Sequence, residues 1–561
     1  MVNYTNSDFN IKELGSFYSS ENTIFRVFAP ESKEVYLILE NQKIKMNKVG
    51  LYFKAIVQGD LEKAKYYFEN DLGIKFKDPF AYYSDDEYSY VLDKSKFNSY
   101  IEIPIKSDNQ IIYEVNVRDF SSDNSYIGKY HGKFLALGET DLKINDYFMI
   151  GLDYIRNIGF THIQLMPVFA YDYDGYKYNW GYNPIAYNYL HKDYVVDVDN
   201  PYAYINEFRE TINNIHKKGL RVTLDIVFNH VYNISNFDLD KMLGGHCFRK
   251  MDDGSLANGS LCGSEINSQD IFVRAYLIEM CRRYVELFDI DGLRIDLMGI
   301  LDYETINIIN NDLRNIKKDF IVYGEGWNMG DVLDESLRAS IKNANKLPGI
   351  YMFNDFYRDN IINYVFGSDQ IKERVKSLIS GTNQYLSYKQ SINYIECHDG
   401  FTFFDRLMKY KADDGIENNI NRAKLGLSLV MISKGIPFIH MGQEFLRTKK
   451  MVENSYNSDE DINKIDWQAR VKYNDICDYF KDLVELRNNH DFYSNNCNIS
   501  DYYDCFIYMI DDLMIIINPS MWDYTYQDGN NYEVIFDNNG KNCYTFNVLS
   551  IPAYSIIVCK R

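Results

Sequence analysis

From Ile111 to about residue 475 the chain alternates short apolar runs with amphipathic stretches of helical period. A chain patterned this way has few folds open to it, because parallel strands need a crossover after each one and helices supply it. Strands are expected at 111–117, 162–166, 221–228, 292–296, 321–325, 391–397 and 435–440, with a further one near 351–354. A helix is expected over 203–218, where Phe208, Ile212 and Ile215 share a face. Lys217 and Lys218 fill its last turn and Gly219 follows, which marks a helix end. About eight such strands point to an α/β protein of the closed (β/α)8, or TIM-barrel, type rather than an open doubly wound sheet. The absence of a Gly-rich phosphate loop after the first strand agrees.

The flanks read differently. Up to residue 110, short alternating runs at 23–28 and 34–39 are broken by Pro, Gly and Asp, as in a β-sandwich. Beyond residue 475, runs at 506–509, 513–517, 532–536 and 554–558 suggest an all-β tail. The expected division is therefore an N-terminal β-sandwich over 1–110, a barrel over 111–475 and a C-terminal β-sandwich domain over 476–561.

Composition narrows the partners. A net charge of −20 disfavours nucleic acid and anionic membrane surfaces, whereas a neutral ligand such as a sugar is indifferent to it. Residues 1–8 carry no basic leader, and nowhere do 18 apolar residues run together. Nine cysteines without CxxC spacing suit reduced thiols. A cytoplasmic monomer is the expectation. The 50 tyrosines fit either sugar-binding surfaces or biased codon usage, so they decide nothing.

The chemistry is read from the strand ends, because barrel sites are built at the carboxyl ends of several strands. Here these read Asp225-Ile226-Val227-Phe228-Asn229-His230, Gly292-Leu293-Arg294-Ile295-Asp296, Tyr323-Gly324-Glu325-Gly326-Trp327 and Tyr394-Ile395-Glu396-Cys397-His398-Asp399. Arg294 and Asp296 are two apart, so they face one side, and a neighbouring cation favours a charged carboxylate. An apolar setting beside Trp327 would instead favour a protonated Glu325. One ionised and one protonated carboxyl are what retaining glycoside hydrolysis requires. Each acid taken singly could merely cap the following helix; their recurrence at successive strand ends favours chemistry. No HExxH-like pair proposes a catalytic metal, and no cofactor is required. The loop oxygens leave room for a structural Ca2+.

These four segments resemble the signature regions of the α-amylase superfamily. Tyr178-Asn179-Trp180-Gly181-Tyr182-Asn183-Pro184 is similar to the YNWGYDP signature of type I pullulanases. Asp296-Leu297-Met298-Gly299 resembles that subfamily as well, and so do 435–440 with Gly442-Gln443-Glu444-Phe445. The resemblance implies that Asp296 is the nucleophile, Glu325 the general acid/base and Asp399 the third carboxylate. It implies that Arg294, His230 and His398 surround the reacting glucose and that Tyr182 stacks beneath it, where Phe would serve nearly as well. Trp180 and Trp327 are implied at the substrate site, and Asp225 as its supporting acid. The N-terminal zone resembles a starch-binding module. The substrates implied are pullulan, glycogen or branched dextrins, cut at α-1,6 bonds. An α-1,4-acting or neopullulanase-like hydrolase and a non-catalytic glucan-binding protein stay open beside this. Four positions depart from the pattern: Asn183 for Asp, Gly400 for Asn, Asn116 for His, and Gly263-Ser264 for Gly-Asn.

Overall fold

The computed structural model describes residues 10–100, 109–382 and 385–560; the amino-terminal octet read above lies outside them. Eight parallel strands close into a barrel. They are β1 (Ile112–Val115), β2 (His162–Leu165), β3 (Arg221–Ile226), β4 (Gly292–Ile295), β5 (Ile321–Gly324), β6 (Ile350–Phe353), β7 (Ser391–Asn393) and β8 (Ile436–His440). Closure is made by β1 against β8, with Ile112 opposite Phe438. Nearly every residue of these strands is buried. A parallel sheet covered on both faces demands this, and it explains the uninterrupted runs at β5 and β6. Ile112, Ile321, Tyr323, Phe353, Ile392, Ile436 and Phe438 pack together as one cluster.

Helices α1 (Gly151–Ile158), α2 (Pro201–Lys217), α3 (Ile271–Phe288), α4 (Tyr303–Ile316), α5 (Asp355–Val365), α6 (Ile416–Ile432) and α7 (Asn474–Asn489) run between or after the strands. The α2 helix starts with an Asn200 side-chain cap and Pro201, and it stops where Gly219 turns to φ +76°. The β5–β6 connection departs from the expected alternation. It holds only the 3-10 turns Glu335–Leu337 and Ile341–Lys346. The β7 strand is shorter than read, because after Asn393 the backbone leaves the ladder and bonds to side chains: the His398 N–H reaches Glu114. The division expected at 475–476 falls inside α7, whose Tyr479 packs on Phe536 of the C-terminal sheet. No helix among the described residues is long and apolar enough to cross a membrane.

Before the barrel, strands Asn22–Val27 and Val35–Leu39 belong to two antiparallel sheets and alternate in burial, as half-buried strands do. Their inner residues Phe25, Val27, Val35 and Leu37 are continuous with the barrel's outer core. Phe28 stacks on Phe272 of α3 at 4.5 Å, and Tyr83 lies 4.4 Å from Tyr204 of α2. After the barrel, a six-stranded antiparallel sheet is covered on one face by a two-stranded ribbon, with Ile507, Met514, Ile516 and Ile551 between them.

Candidate active site

The residues singled out at the strand ends converge, and Arg294 is where they meet. Its Nη1 donates to Asp225 Oδ1 at 2.9 Å and to Asp296 Oδ1 at 2.7 Å, while Nη2 donates to Glu325 Oε1 at 2.5 Å. One buried guanidinium thus bridges acids from β3, β4 and β5. Such a fork fixes direction as well as charge, which an ammonium could not do. Asp296 is held from its other side by the Asn229 amide, which donates to Oδ2 at 2.7 Å. Asp225 is wholly buried and also accepts the Tyr182 hydroxyl at 2.6 Å.

Glu325 is set apart by its surroundings. Burial pushes its carboxyl up to about 7 against the pull of Arg294, and the negative charges of Asp296 and Asp399 add to the rise. Its Oε2 accepts the Leu297 N–H at 3.2 Å. That contact explains Asp296-Leu297-Met298-Gly299 physically. Leu297 takes a left-handed turn (φ +39°), which aims its amide at Glu325. A Cβ on Gly299 would meet the Trp327 carbonyl at 1.8 Å, so no side chain fits there. The segment locks the end of β4 to the end of β5.

His398 and Asp399 lie on the loop after β7. The Asp399 side chain is 61% exposed, with Oδ2 3.4 Å from His398 Nε2. Tyr182 stacks on the His398 ring at 5.0 Å, and Trp180 meets it edge-on at 5.1 Å. Trp180 is buried, donates to Asn463 Oδ1 and sits behind His398 as a support; Trp327 is half-buried. Burial opposes charge on His398, yet Asp399 and Glu114 outweigh it and hold the imidazole up to about 9. His230 behaves oppositely: burial lowers it. Its Nδ1 lies 2.6 Å from Asn229 Oδ1, and a hydrogen bond to the Tyr182 backbone works against the effect of burial.

Two positions near these groups escaped the reading of strand ends. Glu114 points from the middle of β1, and Lys449 donates to the His398 carbonyl at 2.7 Å. A lone acid inside an otherwise apolar strand was the signal available for Glu114. Of the departures, Asn116 accepts the Arg118 and Asp119 N–H groups and so turns the chain after β1. Gly400 sits at φ +74°, a backbone state that glycine adopts without strain and Asn tolerates. Ser264 pairs with Val231 in a short ribbon beside His230. Among the described residues, no group of three or more His, Cys, Asp or Glu side chains is arranged to hold a metal ion.

Comparisons with known proteins bear on the fold and the family. Residues 149–240 match the family model described as alpha amylase, catalytic domain. The chain is 32% identical to the pullulanase of Bacillus subtilis over 85% of its own length and 71% of that protein. Against Pullulanase A of Streptococcus pneumoniae it is 28% identical over 68% of this chain and spans only 35% of that longer protein. Its fold superposes on a pullulanase of an Anoxybacillus species, crystallised with maltotetraose, with a TM-score of 0.94 at 29% identity, covering 99% of this chain and 88% of that one. The type I pullulanase of Bacillus subtilis, crystallised with maltose, gives 0.92 at 28%, covering 99% and 86%. With that likeness running over the whole described fold, the chain belongs to the type I pullulanases of the α-amylase family of glycoside hydrolases.

Proposed function

We propose that this enzyme hydrolyses α-1,6 bonds of pullulan, glycogen or branched dextrins with retention, through a covalent glycosyl-enzyme. Asp296 attacks the anomeric carbon, Glu325 protonates the departing oxygen and then activates the water, and Asp399 holds the distorted sugar through its hydroxyls. His230 and His398 donate to the reacting glucose, and Tyr182 supports its flat face. The observation that carries this reading is the Arg294 fork. It keeps two carboxyl groups within reach of one guanidinium, which favours the closer retaining spacing of roughly 5 Å over the wider inverting one.

The linkage is argued from shape. An α-1,6 bond adds an exocyclic carbon and a torsion, so the leaving chain departs at another angle. Misplacing the scissile bond by about an ångström costs roughly a hundredfold in rate. Pullulan should therefore yield mainly maltotriose, while linear amylose is cut slowly. Product analysis on the two polymers side by side tests this; panose, or rapid shortening of amylose, would move the enzyme to the α-1,4-acting relatives.

Tyr182 deserves a sharper expectation than flatness alone provides. Its hydroxyl donates to the buried Asp225 carboxyl, which burial already raises to about 6 against the pull of Arg294. Tyr182→Phe keeps the ring but leaves a buried acceptor short of a donor, at about 1–3 kcal/mol. We expect kcat/KM to fall about tenfold, with Tyr182→Ala lower still. Unchanged kinetics in Tyr182→Phe would reduce Asp225 to a packing role. The N-terminal sheets are read as a β-sandwich related to starch-binding modules, docked on α2 and α3.

A further inference from the structure

Glu114 is 1% exposed, on a barrel strand whose neighbours Tyr113 and Val115 are apolar and buried. A carboxylate so placed must be satisfied by donors. Three donors meet it. His398 Nδ1 lies 2.7 Å from Oε1, the His398 backbone N–H donates to Oε2 at 2.8 Å, and Gln164 Nε2 donates to Oε1 at 3.2 Å. Gln164 is fixed in turn by the Tyr323 hydroxyl at 2.7 Å, and that hydroxyl lies 2.9 Å from Thr223 Oγ1. A hydrogen-bonded chain therefore crosses the barrel interior from β3 and β5 through β2 to β1, and it ends on His398. With Nδ1 engaged by Glu114, the other ring nitrogen is left to face Asp399.

We propose that Glu114 is a positioning residue for the glycosidase reaction, fixing His398 as a doubly protonated imidazolium whose Nε2–H is presented to the sugar and to Asp399. This rests on the placement of His398 at the reacting glucose argued above. The groups facing His398 come from several elements. Asp399 on its own loop, Glu114 on β1, Asp225 on β3 and Glu325 beyond β5 favour its charge. Arg294 on β4 opposes it; His440 on β8 is itself held neutral by burial and by nearby cations, His398 among them, and Lys449 reaches the His398 carbonyl from behind the loop. Tyr182 and Trp180 enclose the ring and keep water from its faces. A neutral His398 could donate from only one nitrogen, and Glu114 already takes that proton at Nδ1. Nε2 would then be an acceptor, with nothing to offer a hydroxyl oxygen or the Asp399 carboxylate.

Glu114→Gln separates this role from simple anchoring of the loop. The amide has the same shape and can still accept one of the bonds, but it carries no charge. In the full-length enzyme, histidine NMR titration should show the His398 pKa lowered by about one unit or more, the effect of losing one close opposite charge. The loss in kcat/KM on pullulan should widen about twofold between about pH 5.5 and about pH 8 for a shift of about one unit, and about tenfold for about two, as His398 loses its proton in the variant more readily than in the native enzyme. An unmoved His398 titration, or a loss equal at every pH, would overturn the proposal. Should Glu114→Gln not fold, Glu114→Asp keeps the charge on a shorter arm: a high His398 pKa with reduced kcat is expected, and a fall to the ordinary imidazole value would overturn it. The titration reads no activity, so an enzyme that proved to cut α-1,4 bonds would sink the linkage reading and leave this one standing.

Discussion

Asp296→Asn should lower turnover on pullulan by at least about a thousandfold while glucan binding survives. The amide is nearly isosteric, so the barrel keeps its shape. It can still accept from Arg294 Nη1, but its NH2 group then faces the Asn229 amide, and the donor–acceptor contact now made at Oδ2 becomes donor against donor. On the proposed role, what disappears is the attacking oxygen. A secondary effect follows from the same geometry. The Asp296 charge helps to raise the Glu325 carboxyl, so its removal should let Glu325 titrate lower. Single-turnover kinetics together with a binding isotherm for a linear maltooligosaccharide would check both parts. A variant keeping even about a tenth of native turnover would remove Asp296 from the nucleophile's role.

The second large effect belongs to Glu325. With its carboxyl raised to about 7 by burial, the protonated form is the competent acid below that pH and is lost as pH rises through it. The alkaline fall in kcat/KM should therefore centre near neutrality, and it should vanish in Glu325→Gln. That variant should lose roughly 10²–10⁴ in kcat on a glucan, whose departing hydroxyl needs a proton. A glycoside with a good leaving group should suffer far less in its first step. The glycosyl-enzyme should then accumulate, because the same residue activates the water. Equal losses for good and poor leaving groups, or an alkaline limb that persists in the variant, would assign proton transfer elsewhere.

Much of this architecture was legible because it is written locally. Continuous apolar runs such as Ile321–Gly324 announce strands buried on both faces, and Asn200-Pro201 with Gly219 brackets α2 by capping and backbone preference alone. The two-residue spacing of Arg294 and Asp296 put both on one side of β4, and the short bond between them follows from it. Where the reading overran, tertiary bonds were the reason. The β7 run looks extended to residue 397, yet the ladder ends at Asn393 because Glu396 and the His398 amide turn to partners outside it: Glu396 accepts the Phe403 N–H and lies 2.8 Å from His440 Nδ1. The missing helix between β5 and β6 had no local warning either.

The sequence by itself therefore determined which segments become strands and helices, which way neighbouring side chains face, and which acids stand at the barrel's working end. Only closure of the barrel decided what those acids are worth. It carries β1 beside β8 and brings Glu114 within 2.7 Å of a histidine 284 positions away. It joins Asp225, Asp296 and Glu325 on one guanidinium, and it buries Glu325 deeply enough to hold a proton near neutrality. Periodicity is a property of adjacent residues. A carboxyl's protonation depends instead on the water excluded around it and on charges a few ångströms away, and the groups supplying both lie far apart along the chain.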